Sequence, residues 1–217
     1  GKKKLNVSTM LNRRNKNGRQ SKILAICSSP KRGGQTAQLL QQFSKEAEHT
    51  GAAVKRIDLY KNKPKPVTGK LTVQLRELAP FQKDMLEADG FVIATPTYWF
   101  NVPGVLKNFI DQLTVLEENG FLLEGKVAGF IVYAPQGGGT EVLQNLAIAF
   151  NHMGVLLPPY SLIFYRGTQD KWVKNDLKRL ARNMIQQIKA GKQLGLKWDH
   201  FDKRYKVSPI ELLSKKL

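Results

Sequence analysis

The chain has 217 residues, 41% hydrophobic and 24% charged, which suits one α/β domain with appendages and not two full domains. No stretch approaches the roughly 18 apolar residues that a membrane span needs, and the single cysteine excludes an intrachain disulfide or an all-cysteine metal site. The net charge of +18 is unevenly placed: residues 1–22 carry eight Lys/Arg and no acid, residues 189–217 carry eight against three acids, and residues 61–83 carry six against Glu77. The rest is balanced at 13 of each sign, so an anionic partner is expected of the extensions and not of the body.

Residues 1–20 show no period of 2 or 3.6 and read as a polar, basic arm. Its opening, Gly1-Lys2-Lys3-Lys4-Leu5, is not followed by the apolar stretch of a secretory leader. Residues 23–27 form a short apolar run stopped by Ser28-Ser29-Pro30, a buried strand. Leu39, Leu40, Phe43 and Ala47 recur at helical spacing, so 35–50 is a helix stopped by Gly51. A second strand covers 54–59, and Pro64 and Pro66 make 61–69 a loop. A short helix is expected at 80–87 and a third strand at 90–95, ended by Pro96.

Val105, Phe109, Leu113 and Leu116 share one face of a helix over roughly 101–118. The fourth strand is 127–133, and Gly137-Gly138-Gly139 opens a helix running to about His152. The fifth strand lies within 155–165, interrupted early by Pro158-Pro159. A long amphipathic helix runs from Asp170 to about Lys189, and the tail beyond Gly191 has no clear period. Strand–helix alternation of this kind implies a parallel sheet covered on both faces, with ligands beyond the carboxyl ends of its strands.

Three loops therefore carry the chemistry. After the first strand comes Ser28-Ser29-Pro30-Lys31-Arg32-Gly33-Gly34-Gln35-Thr36. Helix-start amides, hydroxyls and two cations suit a phosphate, although a Walker ending is missing. The plain alternative is a Ser/Gly turn with Gln35-Thr36 near the helix cap. After the third strand comes Thr95-Pro96-Thr97-Tyr98-Trp99-Phe100-Asn101-Val102-Pro103-Gly104. Three consecutive aromatics between prolines cannot all enter a core. They suit either a planar heterocycle or a subunit contact. After the fourth strand, Gly137, Gly138 and Gly139 allow close approach of backbone to a ligand.

Taken with Ile57-Asp58-Leu59, Ala88-Asp89-Gly90 and Leu106-Lys107-Asn108-Phe109-Ile110-Asp111, these stretches resemble the NADPH-dependent FMN reductase family. The resemblance covers roughly 22–190 and leans toward the branch of iron–sulfur flavoproteins and flavodoxin-like quinone reductases. It implies a flavodoxin-like three-layer sandwich, a five-stranded parallel sheet of order 2-1-3-4-5 with helices on both faces. The domain plan is a basic arm over 1–21, an FMN-binding domain over 22–190 and a basic tail over 191–217. The resemblance also implies FMN as cofactor and NADPH or NADH as hydride donor. A small-molecule electron acceptor follows, such as a quinone, flavin, nitro or azo compound. Alternatives are a flavodoxin-type electron carrier and a flavin-free binding protein with basic arms.

By the same resemblance the cofactor site comprises Ser28, Ser29, Lys31, Gln35 and Thr36 at the phosphate, Pro96, Thr97, Tyr98, Trp99, Phe100 and Asn101 along the ring, and Gly137 and Gly138 closing the other side. No side chain is expected to act as acid or base, because hydride transfer is borne by the cofactor. The family usually has Gly-Ser, Arg and Asn where this chain has Ser28-Ser29, Lys31 and Gln35. Relatives with a cluster carry cysteines after the second strand, whereas residues 61–85 here have none.

Cys27 reads as a buried core thiol and Asp111 as a residue that orients the loop or a cationic neighbour. His49, His152 and His200 lack ligand spacing, so no metal is expected. The expected location is cytoplasmic and the expected assembly a homodimer or homotetramer. If ordered, the arm would anchor on a second subunit through Leu5, Val7, Met10 and Leu11. In the tail, Trp198, Phe201 and Tyr205 would be half buried or more. Residues 1–22 have no aromatics to stack bases, so nucleic acid is not expected as the main partner.

Overall fold

Each of the five expected strands is a strand in the computed structural model of the chain, which describes residues 20–69, 77–167 and 172–195. The strands are β1 (Lys22–Cys27), β2 (Ala53–Asp58), β3 (Gly90–Pro96), β4 (Val127–Tyr133) and β5 (Leu162–Tyr165). Between and after them lie α1 (Gln35–His49), α2 (Pro80–Glu87), α3 (Gly104–Asp111), α4 (Thr114–Glu118), α5 (Gly139–His152) and α6 (Val173–Leu194). The strands pair in parallel in the order β2-β1-β3-β4-β5, the flavodoxin-like topology. The switch point falls between β1 and β3.

Alternation along β1 divides the core. Ile23 and Ala25 face α1 and α6, where Phe43, Leu180 and Met184 pack. Leu24 and Ile26 face α2 to α5, where Phe81, Phe109 and Phe150 pack. Phe150 of α5 stands 5.1 Å from Phe91 and 5.3 Å from Phe130 between ring centroids, so two central strands share one aromatic anchor. On the other face a Cβ at Gly129 would lie 2.7 Å from Leu180 Cδ1. A side chain at 129 would have to displace Leu180 of α6. β3 is buried along its whole length, as a central parallel strand covered on both faces should be.

Several boundaries differ from the sequence expectation. The helix expected over 101–118 is two helices. Pro103 stands at the N-cap, so α3 starts after it. At the break the Gln112 carbonyl accepts from Gln82 Nε2 at 2.6 Å, and the Leu116 amide turns instead to Leu113 O. A tertiary hydrogen bond thus takes the acceptor that a continuous helix would need. β3 runs on through Pro96, which pairs with Tyr133. β5 starts only at Leu162, after a turn in which the Ser161 amide donates to Pro158 O. α6 runs through Gly191 to Leu194 and stops where Gly195 adopts φ +58° as a left-handed cap. The arm anchors Leu5, Val7, Met10 and Leu11 and the tail aromatics Trp198, Phe201 and Tyr205 lie outside the described residues. No helix among the described residues is long and apolar enough to cross a membrane.

Candidate flavin site

β1 delivers the first loop to the carboxyl edge of the sheet. Ser28 is fully buried, and both its amide (3.0 Å) and its hydroxyl (3.3 Å) donate to Ala94 O of β3. Its polar atoms therefore fasten the loop to the sheet. The Ser29 hydroxyl accepts from the Lys31 amide at 3.3 Å, and the Gly34 amide closes a turn onto Lys31 O at 3.0 Å. A Cβ at Gly34 would lie 2.9 Å from Lys31 Cβ, which explains glycine there. The Gln38 amide reaches back to Gly34 O at 3.0 Å. The amides of Gln35, Thr36 and Ala37 precede it in the first turn, where a helix offers them no acceptor. Thr36 is buried in that turn, Gln35 is half-buried, and Lys31 and Arg32 are exposed without a carboxylate partner among the described residues. The positive end of the helix dipole adds to this electropositive cradle.

Cys27 is half-buried, not the fully buried core thiol expected, because it is the last residue of β1, at the carboxyl edge of the sheet. Burial pushes its thiol up, the Ser29 amide opposes this, and Asp58 adds to the rise. The side chain is a poor nucleophile in this setting.

The second loop is a two-residue hairpin. Tyr98 and Asn101 exchange both backbone hydrogen bonds, at 2.8 and 3.0 Å. Trp99 and Phe100 occupy its tip with φ of 49° and 58°. Positive φ at both tip positions belongs to a type I′ turn, which ordinarily takes Asn or Gly. Two bulky aromatics held there are strained. They are also exposed, Trp99 at 96% and Phe100 at 62%. The Asn101 side-chain oxygen accepts from the Val102 amide at 2.8 Å and braces the exit toward α3. Asp111 pairs with Lys107 within α3, consistent with its reading as a partner for a cation.

The third loop packs on the second. The Thr97 hydroxyl donates to Gly137 O at 3.3 Å, and the Thr97 amide donates to Tyr133 O at 3.2 Å. Gly137 and Gly138 have φ of 108° and 78°. A Cβ at Gly138 would lie 2.7 Å from Phe100 Cα. The predicted ring-site residues are therefore one assembly, with Pro96 buried beneath it and Tyr98, Trp99 and Phe100 turned outward.

Tyr60, just after β2, is not among the predicted site residues. Its phenol is pushed up by burial and then by the Tyr98 phenol of the hairpin. Its amide donates to the Asp58 carboxylate at 2.8 Å. The signal available was topological: β2 lies beside β1, so its exit loop reaches the same edge. A half-open cleft of about 810 Å³ continues from this loop toward α2, outside the three predicted loops.

Residues 21–169 match the family model of NADPH-dependent FMN reductases. The chain belongs to that family. An iron-sulfur flavoprotein of Archaeoglobus fulgidus is 26% identical over 199 residues, which span 88% of this chain and 84% of that protein. An NAD(P)H dehydrogenase (quinone) of Acidithiobacillus ferrooxidans is 37% identical over 82 residues, 36% of this chain and 40% of that protein. Among solved structures, RosB with bound 8-demethyl-8-formylriboflavin-5′-phosphate superposes with a TM-score of 0.68 at 15% identity, over 90% of this chain and 85% of that one. The apo form of the NADH:FMN oxidoreductase EmoB gives 0.56 at 21% identity, over 91% and 100%. These two show the same fold. Membership of the FMN reductase family carries flavin-dependent oxidoreduction as the general activity. The sequence holds one cysteine, where an all-cysteine iron–sulfur cluster takes four thiolates.

Proposed function

We propose that this chain binds FMN without a covalent link and couples its reduction by NADPH or NADH to reduction of a small acceptor, such as a quinone, a free flavin, or a nitro or azo compound. One observation supports the reading above the others. Thr97 and Gly137, and Gly138 and Phe100, lock the loops after β3 and β4 together at the carboxyl edge of the sheet, the edge to which β1 also delivers the first turn of α1. Together they would serve one ligand at the switch point, the place where such sheets hold nucleotides.

The residues fit the group. The amides of Gln35 and Thr36, the Ser29 hydroxyl and the Lys31 ammonium would hold the phosphate, with Ser28 tying the loop to β3. Tyr98, Trp99, Phe100 and Asn101 would line one side of the ring, with Gly137 and Gly138 packed against Phe100 behind them. When bound, the flavin supplies the redox chemistry. The chain orients it, shields one face from water and leaves the other open to a second planar molecule. Family membership supports NAD(P)H as the donor. The near-absence of charge on the residues that would line the ring supports a design that positions rings and does not shuttle protons.

The test is an anaerobic absorption spectrum of purified protein before and after NADPH, with chromatography of the heat-released cofactor. Flavin bands that bleach, and free FMN on release, are expected. FAD, a covalently retained flavin, or flavin that answers neither nicotinamide would overturn the reading.

A further inference from the structure

The segment that follows β2 and Tyr60 forms one wall of the cleft of about 810 Å³ described above. Pro64 is buried and pins this wall to the body, while Lys61, Lys63 and Lys65 alternate with it and are exposed. Val67, Phe81 and Val115 provide an apolar lining. The polar groups of the floor are already satisfied. Gln82 accepts from the Ala79 amide at 2.7 Å and donates to Gln112 O, and the Gln112 side chain donates to the Lys65 carbonyl.

What the cleft leaves open is positive charge. Lys55, Arg56, Lys107, Arg179 and Lys192 each have a carboxylate partner. Lys61, Lys63 and Lys65 have none among the described residues, and three cations face a lining whose only carboxylate among the described residues is Glu77. The volume lies in the range of small-ligand sites, roughly 300–1,000 Å³. An apolar floor under a cationic rim selects a molecule with both characters. A neutral ring would leave the lysines unused, and inorganic phosphate would leave the floor wet.

We propose that this cleft binds an apolar organic anion, an aromatic carboxylate or sulfonate. Its ring would lie on Val67, Phe81 and Val115 and its charged head would meet the lysine rim. The proposal goes beyond the flavin reading and does not depend on it.

The experiment is isothermal titration of the full chain, flavin-free and FMN-loaded, with naphthalenesulfonate and with uncharged naphthalenemethanol. Saturable binding of the sulfonate is expected in both forms, weakened severalfold by raised salt because the rim is exposed. The triple variant Lys61→Glu, Lys63→Glu, Lys65→Glu should bind it about tenfold more weakly, the scale of a few surface charge contacts. The alcohol should also bind about tenfold more weakly than the sulfonate, for the same lost contacts. These lysines are exposed, so the circular dichroism of the variant should match the parent. No saturable heat with the sulfonate, equal affinity in the triple variant, or equal affinity for the alcohol would each overturn the proposal. Failure here leaves the flavin reading standing. If the chain takes up no FMN, the titration of the flavin-free form still decides the cleft.

Discussion

Gly138 and Phe100 approach so closely that a Cβ on the glycine would lie 2.7 Å from the Cα of the aromatic residue. The contact is to backbone, so no rotamer change relieves it. Gly138 also has φ +78°, which an L side chain adopts only at a cost. Gly138→Ala should push the Trp99-Phe100 hairpin away from the third loop. The fold should lose on the order of 1–3 kcal/mol, the range for a strained backbone position. FMN affinity should fall further than stability alone explains, read by quenching of flavin fluorescence. Gly33→Ala is the control, since nothing lies within 4 Å of its Cβ position and its φ is not positive. Equal FMN affinity in the Gly138 and Gly33 variants would show that the ring site does not depend on this contact.

The phosphate cradle gives a second expectation. Ser29→Ala removes a hydroxyl that braces the Lys31 amide, and Thr36→Ala removes a hydroxyl in the first turn of α1. Each should weaken FMN by about 1–3 kcal/mol, the scale of a hydrogen bond to a charged group. Riboflavin, which has no phosphate, should bind both variants as it binds the parent. A parallel loss of riboflavin affinity would place the damage in the fold and not at the phosphate.

Lys126 sets a pH expectation at the opposite edge of the sheet. Its ammonium donates to Leu86 O at 2.8 Å and Ala88 O at 2.6 Å, covering carbonyls at the end of α2. Burial pushes its pKa from 10.5 down to about 8, with Asp89 opposing and Lys192 assisting. A base depressed in the folded state carries its full penalty while both states are protonated, below about 8. Between about 8 and 10.5 the unfolded chain holds the extra proton, so stability from this group rises with pH. Chemical denaturation of the parent and of Lys126→Met from pH 7 to pH 10 should show the parent gaining on the variant. Comparing the two removes the general effect of shedding net charge. Parallel curves would mean that the ammonium is solvated after all.

The layers of this fold were legible because β1, β3 and β4 are short apolar runs and because the long helices carry their apolar residues at helical spacing. β4 and α2 fall at the expected residues. What escaped were features set by distant partners. The break between α3 and α4 depends on Gln82 reaching a carbonyl 30 positions away, which no local pattern encodes. The helix expected to end near Lys189 runs on through Gly191 to Leu194, and the Lys192–Asp89 pair at 2.7 Å ties that last turn to the residue before β3. The three loops were recognisable by composition. Their joining was not, because Thr97 and Gly137 meet only once β3 and β4 are paired. Trp99-Phe100 gave no turn signal, since it lacks the Asn or Gly that marks a type I′ hairpin.

That mismatch between residue and conformation yields the last expectation. Trp99 is 96% exposed, so its indole contributes almost nothing to the core. Its φ of 49° nevertheless costs energy that glycine would not pay. Trp99→Gly should therefore leave the fold as stable as the parent or more stable, by up to about 1 kcal/mol, with the greater chain entropy of glycine offsetting part of the relief. FMN binding should move the other way, because a flat apolar wall of the ring site is gone. Opposite signs in thermal midpoint without cofactor and in FMN affinity would mark Trp99 as a residue kept under strain for its ligand. If the midpoint falls and FMN affinity is unchanged, Trp99 instead stabilises the hairpin, and the ring wall must be sought at Tyr98 and Phe100.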